Sequence, residues 1–288
     1  MNRIRSAVIR RLGGTVPKPA KARTAGTPDQ PKKEPKVLRL LRARYERLQA
    51  DYFGVLRILA GDTELSPEVG RVLLHVVSNR LTMIRVPELV EMCAVVTDLQ
   101  ARGIKGSFLE TGTANGGSAI LLTALKEPDR ELAVYDVFGQ IPPPSSEDGK
   151  DVHKRYETIV SGEAVGPGGS DYYGYEDDLL GKVSAAFSAA GYPVDDNRVS
   201  LVQGLFEDTL HPDGPIAFAH LDGDWYESTI VSLERVVPHL SVGGVLAIDD
   251  YRSWSGCAKA VDEFFAERTD FERIDDAARL RFVRLSQD

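Results

Sequence analysis

The sequence predicts a doubly wound α/β fold: a mostly parallel sheet of seven strands, helices on both faces and a helical cap ahead of the first strand. Three observations carry this. Strand and helix signals alternate from residue 107 to residue 285. Two apolar runs, 217–221 and 245–248, end in carboxylates and are separated by a helix-length segment. A glycine-rich turn follows the first strand. Short apolar runs of this kind read as strands buried on both faces, which places them in a parallel sheet. Open sheets of this class bind ligands at the carboxyl ends of their strands.

The elements follow in order. Residues 1–36 hold ten Lys/Arg against two acids, Asp29 and Glu34, a balance of +8 that leaves −16 on the rest of a chain of net charge −8. So acidic a body argues against a nucleic-acid surface. Ile4, Ala7, Val8 and Leu12 share one face of a basic helix suited to weak contact with an anionic membrane surface. The Pro, Lys, Thr and Gly of residues 17–35 instead match a disordered, solvated tail, which is the expectation for 1–36. Residues 37–60 read as a helix on the stripe Val37, Leu40, Leu41, Tyr45, Leu48, Tyr52, Leu56 and Leu59. A second helix starts at Ser66-Pro67-Glu68, an N-cap followed by proline in the first turn. A third spans 87–102 and stops at Gly103. Residues 37–104 thus form a helical cap or oligomerisation region.

Residues 105–288 form the α/β domain. Strands are expected at 107–111, 132–137, 199–202, 216–221 and 245–248, with two more near 271–274 and 281–285. Helices are expected at 117–126, 175–190 (ended by Gly191), 228–240 and 258–267. Residues 138–175, with Pro142-Pro143-Pro144 and Gly166-Pro167-Gly168-Gly169, break this rhythm and read as a substrate lid at the ligand edge. No apolar run approaches the roughly 20 residues of a membrane span, and the first residues lack the apolar core of a secretion signal. Cys93 and Cys257 cannot make a disulfide framework; reduced thiols and a cytoplasmic location are expected.

The chemistry concentrates at the strand tips. Neighbouring strands lie about 4.8 Å apart, so Asp222, Asp249 and Asp250 converge, and three such carboxylates repel unless a cation joins them. A divalent metal site is the reading; a solvated loop rim is the alternative. The first strand runs into Gly112, Gly116, Gly117 and Ser118 without G-x-G-x-x-G spacing and without the lysine of a phosphate loop. This suits a cationic or neutral ligand better than a pyrophosphate. Glu110 is positioned to balance a sulfonium or amino group, and Asp136 to accept hydrogen bonds from ribose hydroxyls. His220 and His153 are alternative bases, although for His220 a packed, satisfied histidine is the preferred reading. Asp224 reads as a cap for the next helix, with metal binding the alternative. Trp225, Tyr226 and Trp254 line a sugar site or pack beneath loops, and Tyr172 and Tyr173 are candidate acceptor contacts.

Several segments resemble one family: Glu110-Thr111-Gly112 with Gly117, Tyr135-Asp136-Val137-Phe138, residues 204–210, the Leu221-Asp222-Gly223-Asp224 to Thr229 block, Asp249-Asp250-Tyr251, and Gly256-Cys257. They look like the macrocin O-methyltransferases, which are S-adenosylmethionine- and Mg²⁺-dependent sugar O-methyltransferases of antibiotic tailoring pathways. The resemblance covers roughly residues 82–265 and implies a class I, Rossmann-like methyltransferase domain, an oligomeric assembly and a saccharide or glycoside acceptor. By the same resemblance Asp222, Asp249 and Asp250 match metal ligands, and Asp222 also matches the proton acceptor. Thr82, Met83, Glu110, Thr111, Gly112, Thr113, Ala114, Asp136, Gly204 and Leu205 match cofactor contacts, with Gly117 and Ser118 closing the glycine loop. Ala114-Asn115 stands where the family has bulkier residues, and Arg252 where it often has glycine. The competing readings are a catechol-type O-methyltransferase on the same fold and a non-catalytic cofactor-binding scaffold.

Overall fold

The computed structural model describes Val55, Arg57, residues 65–275 and residues 279–286. The basic tail lies outside these residues, as does most of the helix expected over 37–60, of which Val55 and Arg57 are both helical. Helix α1 (Pro67–Ser78) begins as its sequence demands: Ser66 Oγ accepts from the Val69 amide at 3.3 Å and Pro67 occupies the first turn. Helix α2 (Val86–Ala101) follows. Then come β1 (Ser107–Thr111), α3 (Gly117–Leu125), β2 (Leu132–Asp136), α4 (Lys150–Val160), α5 (Leu179–Ala189), β3 (Val199–Gln203) and the one-turn α6 (Phe206–Thr209). The chain continues through β4 (Ile216–Leu221), α7 (Tyr226–Val236), β5 (Leu240–Ile248) and α8 (Ser255–Phe265), and closes with β6 (Phe271–Asp275) and β7 (Leu280–Arg284).

The sheet has seven strands in the order β3-β2-β1-β4-β5-β7-β6. The first five are parallel, and β7 runs antiparallel between β5 and β6. Strand order reverses between β1 and β4, which opens a crevice at their carboxyl ends. Side chains alternate between two cores. Phe108, Val134, Val245 and Ala247 face the cluster built with α1, α2, α3 and α5, whereas Leu109, Tyr135, Leu246 and Ile248 face that built with α7 and α8. Helices α1 and α2 belong to the main core: Leu73, Val76, Leu89 and Val96 are fully buried in one cluster with Phe108. Each such side chain contributes about 1.5–3 kcal/mol of burial.

Four boundaries differ from expectation for local reasons. Helix α5 starts at Leu179 because the Asp178 carboxylate accepts from the Gly181 amide at 2.9 Å, while Tyr173–Tyr175 forms a separate 3₁₀ turn. Helix α7 ends at Val236, ahead of Pro238 in a short 3₁₀ turn. Helix α8 begins at Ser255, before the expected 258. Strand β5 starts at Leu240, before the expected 245, and runs through Gly243-Gly244, whose flexibility permits a register shift against β4 between Ile216 and Phe218.

The 138–175 insertion contains α4, a helix whose polar sequence hid it: only Val152 and Ile159 of its eleven residues are buried. Those two join Ala164, Tyr172 and Trp225 in a third small core, so the insertion is packed onto the domain. Asp148 and Asp151 fasten it further, accepting from the Tyr226 amide of α7 (2.8 Å) and the Ser255 amide of α8 (2.9 Å). Among the described residues no helix is long and apolar enough to cross a membrane.

Candidate active site

Backbone pairing continues one residue past the strand ends. The Asp222 amide donates to Thr111 O at 2.8 Å and the Asp249 amide to Leu221 O at 2.9 Å, so the two aspartates stand side by side at the tips of β4 and β5. Carboxylate oxygens of Asp222, Asp224 and Asp250 lie within 4.8 Å of one another, and so do ligand atoms of His220, Asp222 and Asp249. The three aspartates singled out in the sequence therefore do converge, but not on identical terms. Asp222 belongs to both groups. Asp250 is joined by Asp224, while Asp249 is ion-paired with the Arg279 guanidinium.

Asp224 does not cap α7. Its Oδ1 accepts from Trp254 Nε1 at 2.9 Å, its own amide donates to Asp250 Oδ2 at 3.2 Å, and the cap of α7 comes from Asp148. A left-handed backbone (φ 59°) turns Asp224 back toward the cluster, a conformation uncommon outside glycine, asparagine and aspartate. Ala114 (φ 49°) and Phe138 (φ 46°), on the loops after β1 and β2, share that geometry. Three constrained turns thus surround one crevice.

Electrostatics separates the four aspartates. Burial, then the charges of Asp249, Asp250 and Asp224, pushes the Asp222 carboxyl well above the usual carboxylate range. Burial and the charges of Asp224 and Asp249 do the same to Asp250. Burial raises Asp224 to about 6. Burial also opposes ionisation of Asp249, yet the Arg279 charge and the His220 hydrogen bond hold it below the ordinary value. Asp222, Asp224 and Asp250 are consequently an all-oxygen donor set whose mutual repulsion a hard divalent cation would relieve.

Behind the tips runs a buried polar chain. His220 is fully buried, with Nδ1 2.8 Å from Glu110 Oε1 and Nε2 2.7 Å from Arg279 Nη1. An arginine N–H can only donate, so Nε2 presents its lone pair and Nδ1 gives its proton to Glu110. His220 is thus the packed, satisfied histidine of the two readings. Glu110 is likewise fully buried and lines neither cavity described below, its Oε1 facing His220.

Two connected cavities open over this edge. One, of about 330 Å³, is lined by Thr82, Met83, Thr113, Ala114 and Ser118 together with Asp222, Asp224, Asp249 and Asp250. The second, of about 350 Å³, is more apolar and includes Val137, Ile141, Pro142, Leu205 and Phe206. Gly112, Asp136, Tyr173, Asp222, Asp224 and Trp225 line both. Asp136 braces the glycine loop, accepting from the amides of Thr113 (2.8 Å), Ala114 (3.2 Å) and Phe138 (2.7 Å). Burial raises its pKa against those three hydrogen bonds.

Three further residues singled out in the sequence sit behind the walls. Thr111 is fully buried, its hydroxyl 3.4 Å from that of Ser232. Gly117 is needed for packing, since a Cβ there would lie 2.6 Å from Leu81 O. Gly204 (φ 151°) is filled over by Thr209. Gly112 does face the cavities, at φ 77°, where any side chain would run into the Asp222 carbonyl. His153 is exposed on α4 and lines neither cavity; Tyr226 hydrogen-bonds Glu263 at 2.7 Å on the surface. Trp225, Trp254, Tyr172 and Tyr173 are wall residues. The sequence reading missed Arg155, which also lines the 330 Å³ cavity; its spacing from Val152 and Ile159 was the available signal.

The model of the family described as Macrocin-O-methyltransferase (TylF) matches residues 75–280. Demethyldecarbamoylnovobiocin O-methyltransferase of Streptomyces niveus is 33% identical over 204 residues, 66% of this chain and 70% of that protein. Mycinamicin III 3''-O-methyltransferase of Micromonospora griseorubida is 32% identical over 193 residues, 64% of this chain and 69% of that protein. Among solved structures, the O-methyltransferase NovP superposes with a TM-score of 0.62 at 25% identity, covering 83% of this chain and all (100%) of its own.

Proposed function

The chain belongs to the macrocin-O-methyltransferase family and is an O-methyltransferase, and from that premise we propose that it moves the methyl group of S-adenosylmethionine to a sugar hydroxyl, with Mg²⁺ at the aspartate cluster. The acceptor is a glycosylated natural product or a polysaccharide. One observation carries the reading: Asp222, Asp224 and Asp250 crowd together, Asp250 buried and the other two half-buried, on the wall of the cavity that the glycine loop also lines. The relatives support the acceptor class, because one is named as a 4'-O-methyltransferase of a dimethoxyrhamnosyl tetracenomycin and another as a mycinamicin 3''-O-methyltransferase.

In this reading the apolar cavity of Val137, Leu205 and Phe206 takes the adenine, and Asp136, at the junction of the cavities, meets the ribose. Thr82, Met83, Ala114 and Ser118 surround the methionine end. Asp222, Asp250 and one or both of Asp224 and Asp249 would hold the cation, whose Lewis acidity would lower the pKa of the acceptor hydroxyl. Asp222 lines both cavities, between donor and acceptor, and receives the hydroxyl proton. The Glu110–His220–Arg279 chain fixes Asp249 from behind. The insertion and Trp225 wall the site from water.

Two experiments test this. Methyl transfer from labelled S-adenosylmethionine to a saccharide panel should be abolished by EDTA and restored by Mg²⁺; full activity in EDTA would reject the metal. Walls of Tyr172, Tyr173, Trp225 and Trp254 also suit a flat phenol, so catechols belong in the same panel, and their outperforming every saccharide would move the acceptor assignment to phenols. The second experiment uses pH. A carboxyl whose folded pKa is raised stabilises the protein most below its unfolded value, about 3.9, and loses that contribution as pH rises through the folded value. Asp224 crosses near 6, with Asp222 and Asp250 above the usual range too. The metal-free protein should therefore lose stability from about pH 4 upward through pH 6 and beyond. Saturating Mg²⁺ should raise Tm by several degrees at pH 8 and far less at pH 5. An equal shift at both, or none at pH 8, would remove the cluster as the cation site.

A further inference from the structure

One cationic side chain in the 330 Å³ cavity has no assigned work. Arg155 lies on α4 at the position that packing would give to an apolar residue: Val152 and Ile159, three residues before and four after, are the buried pair that seats this helix. The side chain nevertheless lines the cavity, its guanidinium 5.5 Å from the centre of the Tyr172 ring, and Tyr172 is itself buried. Asp224 feels its charge, which lowers the carboxyl's pKa. Yet among the described residues no carboxylate comes within the 4.0 Å of an ion pair with Arg155. A guanidinium stacked on an aromatic ring, half-buried and short of an ion pair, keeps its planar fork of donors available for a carboxylate or phosphate.

We propose that Arg155 recognises an anionic group on the acceptor, so that the preferred substrate is an acidic saccharide, one bearing a carboxylate or a phosphate. The inference deepens the sugar O-methyltransferase reading and rests on it. The anion seats beside Arg155, over Tyr172, while the hydroxyl to be methylated reaches the aspartates that line the same cavity. The insertion then has a chemical task, that of selecting the acceptor, and α4 is the element that performs it. A carboxylate also exists on the methyl donor, so the test has to separate donor from acceptor.

Binding is read by ligand-detected NMR titration on the full chain with S-adenosylhomocysteine and Mg²⁺ present. The probes are glucose, glucuronic acid and glucose 1-phosphate, the last two separating a carboxylate from a phosphate source. The wild type should bind at least one acidic probe tenfold or more tightly than glucose. Arg155→Gln should erase that preference, Arg155→Lys should recover part of it, and S-adenosylhomocysteine affinity should stay within twofold in both variants. Equal binding of acidic and neutral probes by the wild type would overturn the proposal, as would a preference surviving in Arg155→Gln. A loss of S-adenosylhomocysteine affinity that matches the loss of acidic-sugar binding would assign Arg155 to the donor's carboxylate and overturn it equally. Failure of the parent reading looks different: acidic probes bind in an Arg155-dependent way, but no saccharide is methylated while a phenol is.

Discussion

Asp222→Asn lowers kcat for methyl transfer by about 10³-fold, inside the 10²–10⁴ range of a positioned proton acceptor, while S-adenosylhomocysteine binding changes little. The amide matches the carboxylate in size and keeps the backbone bond from residue 222 to Thr111 O, so the tip of β4 is undisturbed. What is lost is the group that can accept a proton and donate a negative charge to a cation. The same substitution has a second, opposite signature. Asp222 is crowded by three aspartates and its charged form is disfavoured by burial, so removing that charge raises the Tm of the metal-free protein while abolishing the gain from Mg²⁺. Single-turnover transfer of labelled methyl, calorimetric titration of S-adenosylhomocysteine and thermal melts with and without Mg²⁺ measure the three quantities. A variant within tenfold of wild-type kcat would displace Asp222 from the chemistry.

His220→Ala destabilises the fold by about 3–5 kcal/mol, the cost of leaving a buried charge, that of Glu110, without its hydrogen-bond partner. Glu110 Oε1 and Arg279 Nη1 both bond the imidazole, at 2.8 and 2.7 Å, and Glu110 is fully buried. Removing the ring strands the Glu110 carboxylate away from water and takes a hydrogen bond from the arginine that holds Asp249. His220→Gln, which keeps a donor and an acceptor on a similar reach, costs less than the alanine change. Urea denaturation at neutral pH reports the difference, and an alanine variant less than 1 kcal/mol weaker than wild type would mean that water enters to replace the ring. Because the chain acts on Asp249 through Arg279, the surviving folded His220→Gln enzyme is expected to bind Mg²⁺ more weakly than it binds S-adenosylhomocysteine, relative to wild type.

Those two outcomes bear on residues that the sequence could name but not rank. His220 precedes Asp222 by two positions and so shares its strand face, which left a base as the alternative to the packed ring. Only the partners on both ring nitrogens decide, and one of them, Arg279, lies fifty-nine residues away beside the antiparallel closing strand β7. Glu110 was read as a counter-charge for a ligand because it ends a strand at the ligand edge. Its neighbour on β4 is His220, in register, and that pairing turns it into the protein.

Local pattern was sufficient for everything that depends on nearby residues. The period of the apolar runs, the glycines after β1 and the carboxylates one step past β4 and β5 are properties of short segments. Strand pairing converts them into a sheet with a crevice almost without further choice. Asp224 and Arg155 needed the folded chain. Asp224 turns inward through a left-handed backbone and a bond from Trp254, thirty residues distant. Arg155 reaches the cavity because the insertion folds back on Trp225, with a core of five residues drawn from both. Hydrophobic periodicity reports which face of an element is buried, but not which distant element buries it. A polar side chain's task is set by the partner it meets there, so the sheet and the convergence of the aspartates at its edge were legible in the chain, and the pairing among its charges was decided by the tertiary fold.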